Sequence, residues 1–174
     1  MKNAILAFIG MSLISACTVE SSALKGQYSE TPYEIITEKP LDTVWSNIID
    51  LFAQKGLAIK VIDKSSGLIT SEKTSFLNSY TYENASGGLE NPNASVVITR
   101  QTYGGSTIAP QSLTGEWNVR IKPKGENTTS ININITNIQG SFYSAGGQYS
   151  PAMNLTYEGK STGKFESVIA GSIK

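Results

Sequence analysis

Few residues in this chain could do chemistry. It has one cysteine, Cys17, and no histidine among its 174 residues. The missing imidazole removes the commonest general base and metal ligand together. What remains is a lone thiol, a Gly159-Lys160-Ser161 triplet, a Ser71/Lys73 pair and scattered carboxylates. The triplet is no phosphate loop. That motif needs a glycine five residues before Gly159, and Asn154 stands there. It reads instead as a turn ahead of a helix cap. Ser71 and Lys73 lie two apart on one face of an expected strand, a spacing common on solvated faces. With no histidine in the chain, no His-bearing triad activates a hydroxyl. The Asp and Glu residues single out no pair for glycoside cleavage. The expectation is a protein with no catalytic residues, no metal and no cofactor.

Cys17 carries the one specific signal. Met1-Lys2-Asn3 is a short positive segment, and Ala4 to Leu13 is an apolar run too short to span a bilayer as a helix. Leu13-Ile14-Ser15-Ala16-Cys17 follows. An aliphatic residue, small residues and then cysteine resemble the lipobox of bacterial lipoproteins. Ile14 stands where that family prefers leucine. The resemblance covers the first seventeen residues. It implies a signal peptide over 1–16 and a diacylglyceryl group on the Cys17 thiol. It also implies a membrane anchor that several acyl chains, at about 0.8 kcal/mol per buried methylene, make effectively permanent. Thr18 follows the cysteine. Aspartate there is the usual inner-membrane retention signal in enteric bacteria, so in a host with two membranes its absence implies outer-membrane delivery. The competing function, an envelope hydrolase acting on cell-wall polymer, would need a nucleophile that the sequence does not mark.

The elements that would position any site follow from periodicity. Leu41, Val44, Trp45, Ile48, Ile49 and Phe52 recur at three and four, one face of a helix that opens near Pro40 and ends at Gly56. Leu57, Ile59 and Val61 alternate with Ala58, Lys60 and Ile62 as a strand. Asp63 to Gly67 turns the chain, and Leu68 to Lys73 returns. Tyr33 to Thr37, Ala94 to Tyr103, Trp117 to Lys122, Ile131 to Thr136 and Met153 to Tyr157 are further strands. Ser161 or Thr162 can cap a last helix carrying Phe165, Val168, Ile169 and Ile173. This order predicts an α+β fold: a single twisted antiparallel sheet, with a long N-terminal helix and a C-terminal helix packed on one face. The run from Val44-Trp45 to Gly56, with Val61-Ile62-Asp63 and Gly67-Leu68-Ile69, resembles the helix-on-sheet domains of the BamC-type subunit of the outer-membrane β-barrel assembly machinery. It covers about thirty residues and implies the same fold.

The expected domains are the signal peptide over 1–16, a lipidated flexible tether over 17–31 and a globular domain over 32–174. Fourteen basic residues balance fourteen acidic ones, and loss of the first sixteen residues removes only Lys2. That near-neutrality gives no footprint for nucleic acid. The three Gly/Ser/Asn-rich loops, Ser75–Asn93, Gly104–Leu113 and Gly140–Pro151, hold most of the remaining aromatic surface. With strands running up and down in order, the last two loops share one end of the sheet. They would gather Tyr103, Phe142, Tyr143 and Tyr149 into a partner-binding patch, apart from Tyr80 and Tyr82. Rigid aromatics among adaptable polar residues suit an envelope protein, a peptide or a glycan. The expected role is a lipid-anchored, non-enzymatic binding or accessory subunit of the cell envelope.

Overall fold

The computed structural model describes residues 18–28, 33–148 and 150–173. The chain runs β1 (Val19–Ser22), β2 (Tyr33–Thr37), α1 (Leu41–Gln54), β3 (Ile59–Asp63), β4 (Leu68–Ser71), β5 (Thr74–Ser75) and β6 (Tyr80–Thr81). It continues through β7 (Val96–Ile98), β8 (Arg100–Tyr103), β9 (Ser106–Ile108), β10 (Ser112–Gly125), β11 (Thr128–Ser144), β12 (Met153–Ser161) and α2 (Lys164–Ile173).

The expected single antiparallel sheet with a long N-terminal helix is not what forms. The fold is mostly β: half of the described residues are strand and 16% are helix. The described residues form two sheets. A nine-stranded sheet follows the order β3-β4-β10-β11-β12-β7-β6, with β2 also on β11 and β5 also on β10. A three-stranded sheet has the order β1-β8-β9. The larger sheet is mixed, because β6 and β7 pair in parallel, Tyr80 with Val96 and Thr81 with Val97. Parallel neighbours need a crossover of about a dozen residues or more. Residues 82–95, read from sequence as loop up to Asn93 and strand from Ala94, supply it.

Four further expectations change for local reasons. Ala94 to Tyr103 is two strands, broken at Thr99, whose N–H donates to the Glu158 carbonyl. So β7 stays in the large sheet while β8 leaves for the small one. Gly104–Leu113 is a hairpin at its start: Gly104 and Gly105 have φ of 56° and 79°, the paired left-handed residues of a tight two-residue turn. Met153–Tyr157 extends to Ser161, so Gly159-Lys160-Ser161 is strand, paired with Ile98-Val97-Val96. A Cβ at Gly159 would collide with Ile138, so the glycine lets β12 cross β11 closely on its way to β7. Ser71 and Lys73 do not share a strand face. Ser71 is buried, and its Oγ accepts the Trp117 N–H at 2.8 Å, whereas Lys73 is exposed beyond the end of β4.

The core lies between the sheet and the helices. Val44, Trp45, Ile48 and Phe52 of α1 are buried. The Phe52 ring sits 4.5 Å from that of Trp117, and Phe165 of α2 lies 6.5 Å from the same indole. Inward residues Val119, Ile121, Ile131 and Ile133 complete this layer. Helix α1 ends in a paired motif: Leu57 N–H donates to Phe52 O and Gly56 N–H to Ala53 O, with Gly56 at φ 63°. Lys39 Nζ donates to the Ile173 carbonyl at 3.1 Å and so meets the negative end of α2. In α2 the buried face is Glu166, Ile169, Ala170 and Ile173, while Val168 is 42% exposed.

Two bulges set which side chains face the core. In β3 the register shifts between Ile59 and Val61. Ile59 pairs with Ser71 and Ile62 with Ile69, so the expected alternation is broken and Val61 shares the opposite face with Thr70. In β11 the shift falls at Asn137, at φ 54°, where Gly115 of β10 stands opposite two residues. From Ile131 to Asn137 the buried positions are odd (131, 133, 135), and after it they are even (138, 140).

Candidate functional site

The bulge at Asn137 decides the fate of the expected aromatic patch. Phe142 and Tyr143 are neighbours on one strand, so their side chains point to opposite faces. Phe142 is half-buried against the core, and Tyr143 is 64% exposed. Tyr103 lies at the end of β8 in the other sheet, paired with Val19. Among the described residues, no ring contact joins Tyr103, Phe142 and Tyr143. Tyr149 and Cys17 lie outside the described residues. The two loops meet at their bases. Gln111 N–H donates to the Ser141 carbonyl at 2.8 Å, and Tyr143 N–H donates to Gln111 Oε1 at 3.0 Å. Tyr143 therefore presents an exposed ring on a pinned backbone.

A second constellation was not read from sequence. Arg100, the first residue of β8, stacks over the Tyr82 ring at 4.4 Å and pairs with Glu90 at 2.6 Å. It also donates to Thr107 Oγ1 at 3.1 Å and to the Glu83 carbonyl at 3.3 Å. Tyr82 meets Tyr80 edge to face, with ring centroids 5.5 Å apart. The hydroxyls of Tyr82 and Tyr157 both donate to the Ile108 carbonyl, at 3.4 and 2.9 Å. So Tyr82 is not segregated from the Gly104–Leu113 stretch. It is tied to it. The partial signal was the pair of tyrosines two apart. Nothing local to them names Arg100 or Ile108, which arrive by the crossover and the hairpin.

The adjoining Glu83 carboxylate holds the N-terminal segment. It accepts the backbone N–H of Lys25 at 2.6 Å and of Gly26 at 2.8 Å, and the Tyr28 hydroxyl. Lys25 Nζ reaches the Ala85 carbonyl at 3.2 Å. Gln101 Nε2 donates to Ser21 Oγ and to the Thr156 carbonyl, each at 3.0 Å. The described part of the expected flexible tether, residues 18–28, is thus held against the domain: β1 pairs with β8 from Val19↔Tyr103 to Ser22↔Arg100. A cleft of about 150 Å³ remains between the segment and the crossover, lined by Leu24, Lys25, Glu83, Asn84 and Arg100 among others.

The electrostatics suit holding rather than proton transfer. Burial alone would push the Glu83 carboxyl up, but the donors from Lys25, Tyr28 and Gly26 outweigh it and leave it below its usual value. The phenols move the other way. Burial and the Glu83 carboxylate raise Tyr28, burial and Tyr80 raise Tyr82, and burial with Tyr80 pushes Tyr157 up to about 12. At neutral pH the carboxylate is an ionised acceptor and the phenols are neutral donors, each already engaged.

Among the described residues, no group of three or more His, Cys, Asp or Glu could hold a metal ion. No described helix is long and apolar enough to cross a membrane. No protein-family model matches the chain, and comparison with curated proteins finds no match.

Proposed function

We propose that this chain is a lipid-anchored protein of the cell envelope that acts by binding, as a non-enzymatic accessory subunit. The observation that carries the reading is the sequence Leu13-Ile14-Ser15-Ala16-Cys17, set behind a short positive segment and an apolar run. Its thiol is the chain's only one, and lipidation gives it a use. Thr18 in place of aspartate favours the outer membrane. The binding half of the reading draws support from Tyr143. Its ring is exposed while its backbone is fixed by Gln111, so little conformational freedom is lost when a partner covers it. Such aromatics carry much of the energy of protein interfaces. A partner protein, peptide or glycan of the envelope would meet that face.

Labelling cells with palmitate tests the anchor. The wild-type chain takes the label and stays with the membrane fraction, and Cys17→Ser does neither. Equal labelling of the two overturns the proposal.

A further inference from the structure

The N-terminal strand adds an orientation to the anchor. We infer that the tip of the β8–β9 hairpin, Tyr103 to Ser106, lies against the bilayer surface as the membrane-facing end of the domain. The inference rests on the lipid-anchor reading of Cys17. From there it is geometry. Val19 is already paired with Tyr103, and only Thr18 stands between Val19 and Cys17. Consecutive Cα atoms are 3.8 Å apart, so an acylated residue two positions before Val19 lies within about 8 Å of it. A neighbouring strand adds about 5 Å. The Tyr103 Cα, at the base of the tip, is therefore within roughly 13 Å of the Cys17 Cα however the linking peptide turns.

The segment beyond Val19 gives the domain little freedom to swing away. β1 keeps four paired residues, and three residues further on the Glu83 carboxylate clamps the backbone of Lys25 and Gly26. The chemistry of the tip fits its place. Tyr103-Gly104-Gly105-Ser106-Thr107 carries no charge, so approaching lipid headgroups strips no ion of its water. Tyrosine has an apolar ring and a polar tip, the combination found at membrane interfaces. Val19, 37% exposed, adds apolar area beside it. A Cβ at Gly104 or Gly105 would meet nothing within 4 Å, so the surface of the tip is open.

The test uses the full chain, purified with its lipid and reconstituted in phosphatidylcholine vesicles that carry a headgroup nitroxide. A maleimide fluorophore is placed at Ser106→Cys, on the tip, or at Ser66→Cys, in the exposed β3–β4 turn. Gly67 beside Ser66 bonds to Ile121, nine residues along β10 from Ser112, or about 30 Å. Quenching at position 106 should exceed that at position 66 at least three-fold. Equal quenching, or stronger quenching at 66, overturns the orientation. The unsubstituted chain separates the two ideas. If Cys17 is acylated it takes no maleimide, and a failure at 106 then counts against the orientation alone. If it takes the label, the anchor is absent and both readings fall.

Discussion

At Asn137 one backbone conformation decides which side chains of β11 meet water. Its φ of 54° is left-handed, a region where asparagine is tolerated and β-branched residues are not. Its Nδ2 also donates to Glu116 Oε2 at 3.0 Å. Asn137→Gly should therefore stay within about 1 kcal/mol of wild type, since the glycine backbone suits the site and one exposed hydrogen bond is lost. Asn137→Val should cost about 1–3 kcal/mol, from strain at that φ. Chemical denaturation of the two variants measures both, and equal stabilities would mean that the bulge relaxes without cost. The switch leaves a trace in the sequence. Ile131, Ile133 and Ile135 alternate cleanly, and the next isoleucine is Ile138, three residues on rather than two. Read as a period-2 strand, the run puts Tyr143 and Ile135 on the same face. Read with the skipped beat, it places Phe142 inward and Tyr143 outward. The alternation was legible, and the insertion that redirects it was the detail missed. Arg100 is different in kind. Its partners Tyr82, Glu83, Glu90 and Thr107 come from two separate elements, and no local spacing brings them together.

Among the elements, α1 was the most legible because its signal is long and periodic. Trp45 is 8% exposed and Ile48 and Phe52 are fully buried, on the face that the spacing of three and four selects. Trp45→Ala removes a large side chain from a packed layer and should cost about 3–5 kcal/mol. For a domain of this size that lowers the melting temperature by on the order of 10 °C. Asn47→Ala, on the exposed side of the same helix, should move it by no more than about 2 °C. A thermal scan of the pair checks the assignment of the face, and similar shifts in both would refute it. The short strands were not legible for a physical reason. β5 and β6 have two residues each, β7 and β9 three, and none has room to show an alternation. What defines them is pairing with distant strands. The Gly104-Gly105 dipeptide was a hairpin signal of known type, but its flanking runs are only four and three residues long. The break at Thr99 is set by Glu158, whose N–H also donates to Thr99 Oγ1 at 3.2 Å. That is a tertiary contact inside what reads as one continuous β-branched segment.

At the scale of the molecule, the N-terminal segment closes the small sheet and ties it to the large one. β1 completes the three-stranded sheet, and Gln101 links Ser21 to the Thr156 carbonyl of β12. Glu83, on the crossover that leads to β7, receives Lys25, Gly26 and Tyr28. The contacts span 55 to 58 residues of sequence, which is why a polar stretch with little periodicity reads locally as a tether. Its order comes from the surface that it lands on. Because the Glu83 carboxyl sits below its usual value when folded, the unfolded or detached state binds more protons. Protonation therefore favours detachment. The stabilisation is full above the ordinary carboxylate value and is lost as pH falls through the lowered one. Amide hydrogen exchange of Val19–Ser22, Lys25 and Gly26 reads this local opening directly. In the wild type, protection factors should be high at pH 7 and should fall on acidification below the carboxylate range. Glu83→Gln keeps the shape of the side chain but not the charge. It should lower protection of the Lys25 and Gly26 amides at pH 7 by roughly ten-fold, as expected for weakening charge-assisted hydrogen bonds by about 1.4 kcal/mol. It should also flatten the acid dependence. If the Gln variant keeps wild-type protection at pH 7, the pairing of β1 with β8 holds the segment by itself and the carboxylate clamp is secondary.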